Sequence, residues 1–308
     1  MRKVIGSIFV LVVFLGIALT LFSTGSLQEQ CQTVSWPVLN GASRANLYHP
    51  MGLAWGNGFL YVADAEDEAV KKMREDGSLV SEWRGFKRPV DVATAADSVY
   101  VADFLADRIV KLRTDGTLIV QWGRHGNRAG EFDAPSGLAV DRQGHVYVAD
   151  FYNHRIQKFS ADGKFLLQWG GNGRWNGQFH YPTDVAVNDR DELLVADGFN
   201  HRIQKFTADG RYLAKWGGIG YGWGGKQQGW FRLAKAVDVD SRGYVYVADA
   251  FNRRVQKFTA EGKLQAVWHD LRSGVDQVSY PAGVAVDLQG QLYVTDFFNN
   301  RIWKVECR

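Results

Sequence analysis

One phrase recurs six times along this chain, and it constrains the fold more than any other feature. It is clearest as YVADFYNHRIQKFSADGKFLLQWG at 147–170 and as VADGFNHRIQKFTADGRYLAKWG at 195–217. The Asp that closes each VAD or VTD returns at steps of 39, 47, 47, 52 and 47 residues. The six copies are Asp64, Asp103, Asp150, Asp197, Asp249 and Asp296. A period of this length indicates a propeller, a solenoid or an array.

Each repeat contains four short segments in which apolar and polar residues alternate. In the third repeat these are SGLAVD, HVYVAD, IQKFS and KFLLQWG, separated by RQG, FYNHR and ADG. β-Branched and aromatic residues fill the segments, whereas Gly, Asp and Asn fill the breaks, as in strands and tight turns. No amphipathic helical pattern follows residue 30. The sequence therefore predicts an all-β, six-bladed β-propeller of four-stranded antiparallel blades, because ring closure hides the edges of such small sheets.

The repeat resembles the NHL-repeat family, whose pattern is P-x-G-x-A-V-D-x-x-G-x-x-Y-V-x-D-x-x-N-x-R-x-x-K. The third repeat matches it at Pro135, Gly137, Asp141, Gly144, Asp150, Asn153, Arg155 and Lys158. The sixth matches it at Pro281, Gly283, Asp287, Gly290, Asp296, Asn299, Arg301 and Lys304. The resemblance covers about residues 31–308 and implies the propeller fold. It implies several functions, because family members bind RNA, bind proteins, act as extracellular sensors or, in one branch, catalyse a lyase reaction.

Closure of the ring is predicted from the outer strands. A Trp follows the turn Gly by six residues in each of the first five repeats, at Trp83, Trp122, Trp169, Trp216 and Trp268. The sixth repeat stops at Arg308, before such a strand. We expect the segment QCQTVSW, with Trp36, to complete the sixth blade from the N-terminal side.

The same alignment brings the two cysteines of the chain together. It places Cys307 and Cys31 at positions i and i+3 of the turn that joins strands three and four, where Cα atoms lie within about 7 Å. A disulfide can span that distance, and we predict a Cys31–Cys307 disulfide that closes the ring. The alternative is a pair of free thiols, since a directly paired position is not ideal disulfide geometry.

Residues 1–26 have the pattern of a targeting segment, and residues 27–308 form the predicted propeller. Arg2 and Lys3 precede an apolar run at 4–22, and small residues follow at 23–26. This pattern fits a signal peptide that is removed or a signal anchor that is retained in the membrane. In both cases we expect an exported propeller, periplasmic or extracellular, that is either secreted or tethered to the cytoplasmic membrane.

Charge and cysteine content narrow the range of partners. Without residues 1–25 the chain carries 34 Lys and Arg against 33 Asp and Glu. A nearly neutral domain has no excess positive charge for phosphates, so no nucleic-acid partner is expected. Two cysteines with none left over suit an oxidising compartment. We expect a monomeric propeller that contacts the membrane only through its N-terminal segment.

Long insertions collect on one rim of the predicted propeller, at 124–132, 171–179, 218–231 and 269–279. Insertions on one face of a repeat protein often form its binding surface. Aromatic residues and arginine are typical of binding hot spots. The predicted partner-binding residues of this long-loop rim are Arg124, Arg128, Arg174, Trp175, Tyr221, Trp223, Lys226, Trp230 and Arg272. The alternative is that several of the aromatics pack a loop against a blade.

Four residues break the repeat near the predicted channel mouth. Asp91 and Asp184 replace the Gly of P-x-G in the second and fourth repeats, and the fifth repeat carries Lys235 and Asp238. One interpretation is a site for a divalent ion or a polar ligand. The other is that the carboxylates accept hydrogen bonds from backbone amides where strands begin.

No catalytic residue is predicted. The chain has no G-x-S-x-G elbow and no P-loop. The lyase branch of the family is expected to hold a central zinc with three histidines, and no three equivalent inner-strand histidines occur here. No cofactor is predicted apart from the ion considered at the channel mouth. The Asp and Arg that recur in five repeats, such as Asp150 with Arg155, are interpreted as an architectural pair, because a catalytic device is needed only once.

The sequence leaves two functions open. The first is an exported, non-enzymatic scaffold that binds a protein, peptide or glycan through the long-loop rim. The second is a metal-dependent lyase or hydrolase, or a small-ligand sensor, that uses the carboxylates at the channel mouth.

Overall fold

Six antiparallel sheets of four strands each form a closed ring in a computed structural model of the chain, which describes residues 31–35, 46–218, 227–268 and 278–307. Blade 1 contains β2 (Pro50–Gly56), β3 (Phe59–Asp64), β4 (Ala69–Met73) and β5 (Leu79–Arg84). Blade 2 contains β6 (Pro89–Ala95), β7 (Ser98–Asp103), β8 (Arg108–Arg113) and β9 (Leu118–Trp122). Blade 3 contains β10 (Pro135–Val140), β11 (Val146–Asp150), β12 (Arg155–Phe159) and β13 (Phe165–Gly170).

The remaining blades repeat this order. Blade 4 contains β14 (Pro182–Val187), β15 (Leu193–Asp197), β16 (Arg202–Phe206) and β17 (Tyr212–Gly217). Blade 5 contains β18 (Ala234–Val239), β19 (Val245–Asp249), β20 (Arg254–Phe258) and β21 (Leu264–Trp268). Blade 6 contains β22 (Pro281–Val286), β23 (Leu292–Asp296) and β24 (Arg301–Cys307), with β1 (Cys31–Ser35) beside β24. The predicted all-β, six-bladed propeller is confirmed.

Burial changes from the axis to the outside of each blade. The second strand of blades 3 to 6 is buried at every position, as expected for a strand covered on both faces. The outer strand β13 alternates between half-buried and exposed residues, because only one of its faces meets a neighbour. The core is accordingly divided into clusters that lie within and between blades, of which Phe132, Phe159 and Trp122 form part of one.

The tryptophans of the outer strands pack blade against blade. A Cβ atom added to Gly163 would lie 2.7 Å from the ring of Trp122, and one added to Gly210 would lie 2.8 Å from the ring of Trp169. These glycines also have positive φ angles, of 84° and 83°. Each ADG turn therefore needs its Gly both for the turn and for the close approach of the preceding blade.

The recurring Asp–Arg pairs are architectural. In blade 3 the Nε of Arg155 donates to Oδ2 of Asp150 at 2.7 Å, and both side chains are buried. The Nη2 of Arg155 donates to the carbonyls of Arg128 and Glu131, at 2.9 and 2.8 Å. The same bonds recur in blades 4 and 5 around Arg202 and Arg254. Each pair thus fixes the backbone of the long loop that precedes its blade.

Blades 1 and 6 differ from the others in the side chains around the buried Asp. Blade 1 has Ala69 where the other blades have Arg, and the Nζ of Lys71 lies 2.7 Å from Asp64 and 2.6 Å from Asp67. In blade 6 the indole Nε1 of Trp303 donates to Oδ2 of Asp296 at 3.1 Å. The acidic stretch after Asp64 therefore supports a buried lysine, since Asp67 is one of its partners.

The sixth blade brings the two cysteines opposite each other in the backbone. β1 pairs antiparallel with β24, and Cys31 is the Cα partner of Cys307. The side chains of these two residues lie outside the description, as do Trp36 and residues 1–26, so the disulfide and the targeting segment stay predictions. Within the part of the chain that the structure describes, no helix is long and apolar enough to cross a membrane.

Candidate ligand site at the channel mouth

The inner strands β2, β6, β10, β14, β18 and β22 surround a central cavity of about 200 Å³. Its lining is mostly small and apolar, and the charged residues among the described lining are Asp91, Asp184, Asp238 and Lys235. No histidine is among the described residues that line it. The four residues predicted at the channel mouth therefore do share one cavity.

The three channel carboxylates bind backbone amides of the next blade. Oδ2 of Asp91 accepts from the amide of Leu138 at 2.8 Å, and Oδ2 of Asp184 accepts from that of Val237 at 2.9 Å. Oδ2 of Asp238 accepts from the amide of Val286 at 2.8 Å. These bonds join neighbouring inner strands. The amide-binding interpretation expected amides where strands begin, whereas Leu138 and Val237 lie inside β10 and β18, and Val286 ends β22.

The geometry supports a metal ion at these carboxylates less than it supports their binding to backbone amides. The other oxygens of Asp184 and Asp238 accept from their own following amides, each at 2.8 Å. Among the described residues, the one trio of potential metal ligands within 4.8 Å of one another is Asp107, His125 and Asp133, which lies outside the channel lining.

Small residues make room for the two Asp side chains that replace Gly. A Cβ atom added to Gly52 would lie closer than 3.0 Å to the backbone of Asp91, and one added to Gly137 would be equally close to that of Asp184. Blades 1 to 4 thus alternate Gly and Asp at this level, and Ala236 and Gly283 complete the ring. An Asp is accommodated where the neighbouring blade has no side chain in its way.

A second cavity, of about 260 Å³, opens at the mouth of the channel. Its floor comprises the second residues of five inner strands, among them Ser136, Thr183 and Lys235. Its wall is mainly aromatic and comprises Phe104, Phe151, Phe199, Phe251 and Tyr280. We call this space the mouth cavity.

The aromatic wall extends from blade to blade. The ring of Phe151 lies 6.2 Å from that of Phe104 and 6.2 Å from that of Phe199, between ring centres. On the other side the ring of Phe251 lies 6.0 Å from that of Tyr280, which in turn lies 5.5 Å from that of Phe298. Phe199 and Phe251 are 46% and 51% exposed. The mouth is therefore surrounded by aromatic surface that the fold leaves in contact with solvent.

Comparison with known proteins settles the family. The NHL-repeat profile matches residues 132–159, 179–206 and 278–305, which lie in blades 3, 4 and 6 of the ring described above. The chain is an NHL-repeat β-propeller. No curated protein matches it by sequence.

Solved structures similar to this NHL propeller include enzymes and a protein of unknown function. A streptogramin B lyase shares 11% identity over 90% of this chain and 98% of its own, with a TM-score of 0.64. A gluconolactonase from Xanthomonas campestris shares 15% identity over 92% of each chain, with a TM-score of 0.67. A protein of unknown function from Bacteroides thetaiotaomicron shares 17% identity over 90% of this chain and 76% of its own, with a TM-score of 0.67. At these identities the similarity shows the fold alone.

The predicted residues of the long-loop rim differ in their exposure to solvent, and four of them lie outside the described residues. Arg124, Arg128 and Arg174 are exposed, and Nη2 of Arg124 lies 2.8 Å from Oε1 of Glu131. Trp175 is 76% exposed, whereas Trp230 is half-buried and its carbonyl accepts from Arg254. Tyr221, Trp223, Lys226 and Arg272 lie outside the described residues.

The aromatic wall was missed by the sequence analysis. Phe104 and Phe151 come directly after the repeat Asp, whereas Phe199 and Phe251 come one residue later, after a small Gly198 or Ala250. A Cβ atom on Gly198 would collide with the side chain of Thr183. The sequence pattern that could have predicted the wall is an aromatic residue one or two positions after the recurring Asp in blades 2 to 6.

Burial perturbs the acid–base chemistry of the channel. It raises the pKa of Asp184 and of Asp238 to about 7, and it raises that of Asp91 well above its usual value, with the charge of Asp184 adding to the effect. The folded state therefore binds these protons more tightly than the unfolded chain. Protonation of these carboxyls therefore stabilises the folded state. This stabilisation is complete below about pH 4 and is lost as the pH rises toward 7.

We expect Asp238→Ala to become more stable relative to the wild-type protein as the pH rises from 5 to 8. The equivalent residue of blade 4 is Ala186, so the change restores a residue that the repeat accommodates. The expected gain over that interval is about 3 kcal/mol, since two pH units lie between pH 5 and the pKa of about 7 and each corresponds to about 1.4 kcal/mol. Urea unfolding at several pH values measures it, with Asp162→Ala in an exposed turn as the control. Parallel pH profiles for the wild-type protein and Asp238→Ala would contradict the pKa assignment.

Proposed function

We propose that this NHL propeller is an exported binding protein that holds a protein or peptide partner on its long-loop rim, with the mouth cavity as the central contact. The observation that carries the proposal is the exposed aromatic wall around the mouth. Exposed aromatic clusters are uncommon on proteins without partners, and aromatic side chains dominate the energetics of peptide and protein contacts.

Two further features support binding rather than catalysis. The channel carboxylates accept hydrogen bonds from strand amides, which gives them a role in joining the blades. The lining of the mouth cavity is mostly apolar with a few polar side chains, which is the usual composition of a ligand-binding site. Export is part of the proposal and is supported by the apolar run at 4–22 and by the pair of cysteines.

A random-peptide display library that includes free C-terminal ends tests the proposal. We expect enriched peptides to bind the wild-type protein and to bind a Phe199→Ala, Phe251→Ala double variant roughly tenfold more weakly or worse, because hot-spot aromatics carry most of an interface energy. The matched control is Leu118→Ala with Leu166→Ala, which removes exposed apolar side chains from the outer strands β9 and β13.

The outcomes separate the alternatives. Enriched peptides that bind both double variants equally well would show that the mouth is not the contact. If no peptide is enriched and the protein binds a glycan array through the mouth cavity, the partner is a glycan and the peptide proposal is wrong. Urea unfolding of both variants checks that a loss of binding does not come from a loss of the fold.

A further inference from the structure

Lys235 is the residue of the mouth floor that departs most from its equivalents. At the same position blades 3 and 4 carry Ser136 and Thr183, whose hydroxyls donate to carbonyls of the next blade at 2.9 and 2.8 Å. Lys235 has neither a hydrogen bond nor an ion pair with any residue that the structure describes. It lines both the channel and the mouth cavity, so its side chain lies where the two meet.

Two of the described residues that line the mouth cavity are charged, Lys235 and Arg88, and both are cationic. Nη2 of Arg88 lies 3.0 Å from Oε1 of Glu66, but its buried Nε has no hydrogen-bond partner among the described residues. An aromatic wall beside this Nε and the Lys235 amine is complementary to an apolar group that carries a negative charge.

The carboxylates of the channel do not form an ion pair with Lys235 and so leave its amine available for a ligand. Asp91 and Asp184 already accept from strand amides, and neither lies within 4.0 Å of the Lys235 amine, the limit for an ion pair. Burial raises the pKa of Asp184 to about 7, which reduces its negative charge at neutral pH. Burial also lowers the pKa of Lys235, and an anion in the mouth would favour the charged amine.

We propose that the mouth cavity binds the C-terminal residue of a peptide or protein whose last side chain is aromatic or a large aliphatic. Its carboxylate accepts from Lys235, and its side chain packs against Phe151, Phe199 and Phe251. The cavity of about 260 Å³ is smaller than the usual ligand site of about 300 to 1,000 Å³, which suits one terminal residue rather than a chain that passes through. This inference rests on the proposed function.

Short synthetic peptides test the inference directly. The probes are Ser-Gly-Ser-Gly followed by Phe, Leu or Trp, each prepared as the free acid and as the C-terminal amide, together with hydrocinnamate as a small acid. We expect at least one free acid to bind about tenfold more tightly than its amide, as a charge-assisted hydrogen bond implies. Fluorescence anisotropy or calorimetry measures the affinities.

Lys235→Thr isolates the contribution of the amine. Thr occupies this position in blade 4, so the variant restores a residue that the fold accommodates. We expect the variant to bind the free acid as weakly as the amide and to bind the amide as the wild-type protein does. Lys164→Thr, in an exposed turn on the opposite rim, is the matched control.

Each alternative result overturns the inference. Equal affinity for acid and amide, or an acid preference that survives Lys235→Thr, would exclude recognition of the carboxylate. Hydrocinnamate binding as tightly as the peptides would show that the mouth takes a small acid. If no probe binds, C-terminal recognition is wrong, whereas mouth-dependent peptides from the display library would still support the proposed function.

Discussion

Replacing Arg202 by Met is expected to lower the free energy of unfolding by about 3 to 5 kcal/mol, which is the usual effect of breaking a buried ion pair from one side. Arg202 is 3% exposed, and its Nε lies 2.7 Å from Oδ2 of Asp197, which is fully buried. The substitution leaves that carboxylate with fewer donors in a site that water does not reach. Urea unfolding measures the change.

Arg202 also holds the loop before its blade, which gives a second measurement. Its two Nη atoms donate to the carbonyls of Arg174, Trp175 and Gln178, at 2.8, 2.9 and 2.8 Å. We therefore expect limited proteolysis to cut Arg202→Met within 171–179 much faster than the wild-type protein. Arg142→Met is the control, because Arg142 pairs with Asp189 at the surface, where an ion pair contributes about 1 kcal/mol or less. Equal losses of stability in the two variants would mean that the Asp–Arg pair is not architectural.

Replacing Cys31 by Ser is expected to lower the free energy of unfolding by about 4 to 5 kcal/mol under oxidising conditions, if the predicted disulfide forms. The bond would close a loop of nearly the whole chain, and a long loop loses the most conformational entropy in the unfolded state. The backbone register between β1 and β24 places Cys31 opposite Cys307, which supports the pairing. Urea unfolding with and without a thiol reductant measures the effect.

The matched variant is Cys31→Ser with Cys307→Ser, which removes both thiols and should match the single variant in stability. A reductant should weaken the wild-type protein and leave both variants unchanged. Free thiols at both positions in the non-reduced protein, detected by mass spectrometry, would show that the disulfide is absent. A wild-type protein indifferent to the reductant would lead to the same conclusion.

Much of the fold follows from local patterns that the chain repeats. Alternating apolar residues, turn glycines and the recurring Asp are read within one unit, and six copies of that unit leave few architectures. The interpretation of Asp150 with Arg155 as an architectural pair also follows, because recurrence argues against a single catalytic device. The structure confirms both.

The candidate site was less accessible to sequence reasoning, because its parts come from different repeats at different offsets. Phe151 and Phe199 do not align in the repeat, yet their rings meet at 6.2 Å. Asp91 binds the amide of Leu138, 47 residues further along the chain. Lys71 takes over the role of an Arg that the first repeat lacks, from a position two residues later. Contacts between blades decide each of these arrangements.

The recurring phrase by itself determined the number of blades, the strands within them and the places where the repeat is broken, since these depend on residues close together in the chain. Only the tertiary structure decided what the breaks do. Ring closure brings the second residues of the inner strands and the aromatics of five links to a common axis. There Lys235, which has no hydrogen bond or ion pair with a described residue, lies beside an exposed aromatic wall. This juxtaposition arises from packing across blades and has no counterpart within a single repeat.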